Sequence, residues 1–592
     1  MNIRTLQPSY HLFSIPAIFL LFGTLLFFSG CSRKEPALSQ TVSGNTISEN
    51  QTDKNAQDAE NSAEGESFTE KELTEGNVTL SPRQLSSYGK ITDCSFKEDK
   101  ETLSLSLTLP DIPGSDDALI YLFAFETYEN YDNSHCFDRE PIASAEKSTS
   151  CELTWTYGEG QLFQQFVPTL LLNGKYVPLS TGTYICNPEM LADNSVSYPE
   201  PKSKKGLLLD PQMLGTPLLT DLGVQYAIYN IPLSHIIGET TNAAYPTISY
   251  EYKGVSYKFN GEIIYSYDNL FTYLTNSGIF STAIILNDWN ETYPDLVHPL
   301  SRNKKSGAYY YAFNTAEEEG CRHLEAIASF LTKRYSGGKY GLVSDWVIAN
   351  EINQHKIWNY MDTSDIELYA AEFEKALRIF YNAAKSNYAD ANVYFSIDHD
   401  WNNNKNNNKA KFNGKDLVEA INDAARLKGN YDWGLAIHPY PNPLTRVNYW
   451  TDTYDKTMDA PLLTLMNLRT LTDFLNQEEY LDRSGNVRSI TVTELGFSST
   501  SGEKLQAAAF AYCYYIIDAN PYVKAFIMNR QTDSPDEINQ GLAFGIYELD
   551  QTSKFILDVF KSIDTDSSKD NLDFMLNILG ADSLEEALSW AE

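Results

Sequence analysis

Positive charge is what this 592-residue sequence has least of: 45 Lys and Arg stand against 79 Asp and Glu, a formal net charge of −34. No basic patch interrupts that acidity, so a phosphate backbone would be repelled and nucleic acid is not expected as a partner. Cysteine and histidine are scarce, at seven and eight. No C-x-x-C pair occurs, which removes the common spacing of a zinc cluster. Asp564-x-Asp566 has the start of a calcium loop, but Lys569 stands where the loop needs Gly and Met575 where it needs Glu, so no metal site is expected. A glycine-rich phosphate loop is also missing. The segment Gly223 to Ile231, which reads as a strand, runs instead through Tyr229-Asn230-Ile231-Pro232, and this argues against an open, doubly wound nucleotide-binding sheet. Aromatic residues are plentiful by contrast, at 13% with 39 Tyr, 29 Phe and 8 Trp. Such a load suits stacking on rings as well as filling a core.

The only long apolar run lies at the start. Residues 1–30 carry one charge, Arg4, and the run Ile15 to Phe28 is shorter than the roughly 20 residues that span a bilayer. With Phe28-Ser29-Gly30-Cys31 behind it, the segment reads as an export signal. Its ending resembles a bacterial lipobox, which implies lipidation of Cys31 and a membrane-anchored, extracytoplasmic protein. Residues 32–78 hold ten acidic and four basic side chains and one aromatic, Phe68, too little apolar surface to offset ordering entropy, so 31–78 reads as an acidic tether. Four cysteines, Cys94, Cys136, Cys151 and Cys186, follow in the next segment. An exported chain permits disulfides there, with three possible pairings.

Residues 79–205 read as a small β-sandwich, with strands Thr102 to Leu109, Ala118 to Thr127, Ser150 to Tyr157, Leu162 to Leu172 and Thr183 to Cys186. A polar joint at Lys202 to Lys205 leads into 206–592, where strands alternate with helices. Strands are expected at Gly223 to Ile231, Ser281 to Leu286, Ser344 to Ala349, Asn392 to Asp398, Gly434 to His438, Ser489 to Glu494 and Val523 to Met528. Capping boxes at Thr315/Glu318 and Ser364/Glu367 mark two helix starts. Seven strands, with an eighth hidden somewhere in 232–265, predict an α/β fold, a (β/α)8 barrel.

In such a barrel the chemistry stands at the C-terminal strand ends. The fourth strand ends Ala349-Asn350-Glu351, the sixth Ile437-His438-Pro439-Tyr440, and the seventh Thr493-Glu494. Two carboxylates on separated strands can face each other across the mouth, as hydrolysis of a glycosidic bond requires: one acid for the leaving oxygen, one carboxylate to attack or to activate water. Trp289, Trp358 and Trp401 follow strand ends in loops and could each stack on a sugar or pack inside. Asp398 and Asn230 end strands where they could bind hydroxyls.

Asn350-Glu351, Glu494 and His438-x-Tyr440 resemble the signature of clan A retaining glycoside hydrolases, and the whole chain is similar to an exported branch of that clan. The resemblance implies Glu351 as acid/base, Glu494 as nucleophile, Asn350 as partner of the sugar 2-hydroxyl and Tyr440 as the residue that orients the nucleophile. It implies an oligo- or polysaccharide substrate and no cofactor. The first strand lacks the Arg of several members, and the eighth ends Met528-Asn529-Arg530 rather than in Trp. A glycan-binding lipoprotein without catalysis therefore remains the alternative.

Overall fold

The computed structural model describes residues 76–131, 137–158, 160–193, 200–216, 221–404 and 408–592. The expected signal, Cys31, nearly all of the tether and Cys136 lie outside the described residues. Two antiparallel sheets come first. One orders Lys90–Phe96, Thr102–Thr108 and Ser150–Thr156; the other orders Ala143–Glu146, Leu119–Phe125, Gln165–Leu172 and Lys175–Pro178. Period-two alternation explains the pairing: Ser150–Thr156 turns Cys151, Leu153 and Trp155 inward and its other residues outward. They pack with Leu103, Leu105, Leu107, Ile120, Leu122 and Phe166 in one core, each large apolar side chain contributing about 1.5–3 kcal/mol. The expected strand Thr183 to Cys186 shrinks to an isolated bridge between Thr183 and Phe166. Cys94, Cys151 and Cys186 are buried free thiols, as are Cys321 and Cys513.

Eight parallel strands then close a barrel: Lys205–Leu207, Tyr226–Pro232, Phe280–Leu286, Asp345–Ile348, Asn392–Asp398, Trp433–His438, Ile490–Leu495 and Val523–Met528. The eighth member is not where the sequence suggested. Residues 232–265 hold a hairpin, Ile248–Tyr252 with Val255–Phe259, which lies outside the barrel. Its turn is Lys253-Gly254, both at positive φ. The missing strand is Lys205–Leu207, at the edge of the segment read as a polar joint, and the strand carrying Asn230 is therefore the second. Lys205 is inside because its ammonium donates to Asp564 Oδ1 at 2.6 Å and to the Phe560 carbonyl at 2.8 Å.

Helix starts differ in detail. Thr315 bonds Glu372 instead of capping, and Glu318–Arg334 begins after an uncapped Glu317. Asp365, not Ser364, caps Ile366–Asn387, its carboxylate accepting from Glu367 N and Leu368 N. Two helices, Ser568–Leu579 and Leu584–Ser589, come last among the described residues. No helix among the described residues is long and apolar enough to cross a membrane.

The barrel interior is packed rather than hollow. Ile228, Ile284, Val347, Tyr394, Ala436, Ala525 and Ile527 fill it, topped by Leu286, Tyr310 and Trp358. A Cβ on Gly434 would lie 2.4 Å from the Tyr394 ring, so the sixth strand needs glycine there to let the fifth strand's tyrosine in. The same alternation carries Ser396 and Asp398 upward from Tyr394, and His438 upward from Ala436. The sandwich docks along the flank of the barrel, where Lys253 of the hairpin donates to Glu126 at 2.7 Å. Tyr184 N donates to the Lys428 carbonyl at 3.0 Å, and Arg483 donates to the Cys186 carbonyl and to Asp93. Lys428 and Arg483 precede strands six and seven, so their contacts lie at the opposite end of the barrel from the C-terminal strand ends.

Candidate active site

The fourth strand leaves the barrel through two residues in the left-handed region, Ala349 at φ 62° and Glu351 at φ 38°. Non-glycine residues there cost about 1–3 kcal/mol each. The kink is held by Ala349 N on the Ile285 carbonyl at 3.0 Å and Glu351 N on Ser396 Oγ at 2.8 Å. It turns the Glu351 carboxyl inward, where the residue is 1% exposed. Asn350 beside it is half-buried.

Strand six supplies a partner to each glutamate. His438 Nδ1 and Glu351 Oε1 hydrogen-bond at 2.8 Å, while His438 Nε2 meets Thr493 Oγ1 at 3.0 Å. The threonine hydroxyl can donate or accept, so either imidazole tautomer is served. Burial holds His438 below its ordinary value, against the pull of Glu494 and Asp398, and so favours the neutral ring. Two residues on, Tyr440 donates its phenol O–H to Glu494 Oε1 at 3.0 Å and accepts from Asn529 Nδ2 at 3.2 Å. Phe544 stacks on Tyr440 at 6.0 Å. Gly496 lets this layer close: a Cβ there would lie 2.3 Å from the Asn529 carbonyl.

Both glutamates are pushed toward the neutral form. Glu351 lies well above the usual carboxylate range, through burial first and then the negative charges of Asp398 and Asp400. Glu351 Oε2 has no hydrogen-bond partner, and the Trp358 side chain opposes the shift. Glu494 is raised to about 7 by burial, with Glu351 adding to the rise while His438 and the Tyr440 hydrogen bond oppose it. Both carboxyls thus hold a proton more tightly than an exposed glutamate does, and perturbed groups of this kind cluster at functional sites.

The other expected residues fare differently. Asn230 lines a cavity of about 10 Å³ together with Thr493, Glu494 and Asn529, and its Oδ1 is buried without a partner. Asp398 has both carboxylate oxygens engaged: Asn353 and Gln354 donate to them at 2.6 and 2.8 Å. Gln354 also bridges to Asp400, which pairs with Lys411 at 2.6 Å. Trp401 packs inside, one of the two readings left open for it. It is 0% exposed, donates to the Met458 carbonyl at 2.9 Å and packs edge-on against Phe474, because its loop folds back under the one after strand six. Trp289 packs against Tyr311 in a satellite cluster with Val297 and Tyr360, not against either glutamate.

Sequence reasoning missed Glu537, a buried carboxylate on the loop after strand eight. Neither of its oxygens has a hydrogen-bond partner, Arg530 stands 3.6 Å away, and burial pushes it up to about 7. A lone Glu in a loop carries no signal of such burial. Among the described residues no group of three or more His, Cys, Asp or Glu side chains is placed to hold a metal ion.

Among solved structures, the chain is similar to a family 39 glycoside hydrolase from the gut symbiont Bacteroides cellulosilyticus WH2, at 16% identity and TM-score 0.39 over 82% of each chain. It is similar to a glucosidase from Croceicoccus marinus, at 13% identity and TM-score 0.39 over 63% of this chain and 69% of the other. A β-D-glucuronidase from Dictyoglomus thermophilum matches at 12% identity and TM-score 0.32 over 81% and 68%. None of the curated proteins matches the sequence. A family profile does match, over residues 197–587 and hence over all eight barrel strands, and the chain belongs to that family, the family of unknown function DUF5722.

Proposed function

We propose that the protein is a glycoside hydrolase acting by retaining double displacement. The observation that carries the reading is the division of labour at strand six, where His438 holds Glu351 and Tyr440 holds Glu494, each carboxyl with its own partner and its own raised affinity for a proton. Glu494, once ionised, attacks the anomeric carbon as the bond to the leaving oxygen breaks, and Glu351 gives that oxygen its proton. Glu351, now a carboxylate, takes a proton from water as the water oxygen attacks the same carbon and releases Glu494. Asn350 and Asn230 supply polar groups for sugar hydroxyls. No step needs a cofactor.

A binding-only role draws support from one observation, the near-complete burial of Glu351. Proton NMR of the first-formed anomer, during hydrolysis of a panel of aryl glycosides and polysaccharides, tests the proposal. Product of retained configuration fits; inversion removes the nucleophile role from Glu494, and binding without cleavage leaves the receptor reading. We propose in addition that lipidation of Cys31, at the end of the lipobox-like Phe28-Ser29-Gly30-Cys31, anchors the protein to a membrane. Cys31→Ala should release the protein from the membrane fraction.

A further inference from the structure

The acid side of the site continues outward as a line of aromatic rings. Trp358 ends the short helix His355–Trp358, which follows Glu351 on the loop after strand four, and its side chain acts on the Glu351 carboxyl. Tyr309 stacks on Trp358 with ring centroids 5.0 Å apart and planes inclined by 22°, yet Tyr309 remains 41% exposed. The two rings are set by main chain, not by chance rotamers. Tyr309 N donates to the Ile357 carbonyl at 2.9 Å, Tyr360 N to the Tyr310 carbonyl at 2.9 Å, and Ala312 N to the Tyr360 carbonyl at 3.0 Å. This short ladder ties the loop after strand three to the loop after strand four. Ile357, 40% exposed, extends the apolar edge beside Tyr309.

A large ring left in water beside a polar mouth loses stabilisation that burial would give, and its supported, near-parallel stack leaves a flat apolar face at fixed height. A pyranose presents such a face through its axial C–H groups. The side matters as much as the ring: in the reaction proposed above, the acid attends the leaving group, so rings continuing outward from Glu351 lie along the path of the departing portion.

We infer that Tyr309, backed by Trp358, is a platform for a sugar ring on the leaving-group side, and that the substrate is an oligo- or polysaccharide rather than a glycoside with a small aglycone. This rests on the glycosidase reading for the identity of the leaving side. The exposed phenol sets specificity for chain length and touches no reacting atom.

The test compares wild type, Tyr309→Ala and Tyr309→Phe on a neutral oligosaccharide series of two to six units and on the glycosyl fluoride of the same sugar, whose leaving group has no ring. The expected result is a wild-type kcat/KM that rises with chain length and a Tyr309→Ala loss roughly tenfold larger for the long oligosaccharides than for the fluoride. Tyr309→Phe, which keeps the ring, should restore most of the length dependence. A length dependence that survives Tyr309→Ala, or equal losses on both substrate types, overturns the platform. Calorimetric titration of the Glu494→Gln protein with the same series separates the two readings. Binding that weakens on adding Tyr309→Ala, with no cleavage by wild type, supports the platform and sinks the hydrolase; cleavage with binding indifferent to residue 309 does the reverse. A series that is neither bound nor cleaved overturns both.

Discussion

Tyr440 and Glu494 meet at 3.0 Å, phenol O–H to carboxyl oxygen, and Asn529 holds the phenol from behind. The bond favours the ionised carboxylate, so it counteracts the burial that raises Glu494. Tyr440→Phe keeps the ring on Phe544 but removes this bond. Glu494 should then ionise at higher pH, moving the acid limb of the kcat/KM profile upward, and peak activity should fall about 10- to 100-fold. An unmoved acid limb would mean that the tyrosine only packs.

The raised proton affinity of Glu494 is also a statement about folding. Its folded value of about 7 lies above the unfolded carboxylate range. The folded state therefore binds the proton more tightly, and the contribution is full below pH ~4.3, then lost as pH rises through about 7. Glu494→Gln, which cannot ionise, should melt a few °C above wild type at pH 8, with the gap closing by pH 4 to 5. Turnover should drop by at least ~10³-fold in the same protein. A melting difference independent of pH would contradict the assignment.

Asp400 acts on Glu351 from a distance, as one of the negative charges that hold the acid protonated. Asp400→Asn removes that charge while leaving an oxygen for Gln354 and Lys411. The affinity of Glu351 for its proton should fall, and the alkaline limb of the pH profile should move to lower pH. Circular dichroism should show the fold retained; an alkaline limb in its wild-type place would separate Asp400 from the acid.

Trp401 offers a contrast between core and site. Trp401→Ala should cost about 3–5 kcal/mol of stability, as removal of a buried indole does. The fraction that remains folded should bind oligosaccharide with unchanged affinity. Weakened binding at full stability would return Trp401 to the mouth.

The parts of this fold legible in the sequence were those whose side chains obey a period. Strands four to eight alternate or run apolar between helical stretches, and their terminal Glu351, His438, Tyr440 and Glu494 stand where strand ends must place them. Lys205–Leu207 was illegible because three residues set no period and a lysine reads as exposed until Asp564 is brought beside it, 359 positions later. Trp289 and Trp401 follow strand ends just as Trp358 does; only the return of their loops decides which indole faces the mouth. The left-handed kink at Ala349 and Glu351 leaves no mark in residue type, since neither is glycine or asparagine. Asp398 was correctly placed at a strand end, but whether its oxygens meet a ligand or Asn353 and Gln354 is a property of packing.

That three-residue first strand has a temporal consequence. It pairs with Val523–Met528 on one side and Tyr226–Pro232 on the other, and its lysine is anchored on Asp564. Sequence separations this long raise contact order and charge loop-closure entropy early. The ring cannot be sealed until almost the entire polypeptide has been made, so half-built chains carry an unclosed sheet edge, and a stop codon before position 564 would strand a buried ammonium without its counterion.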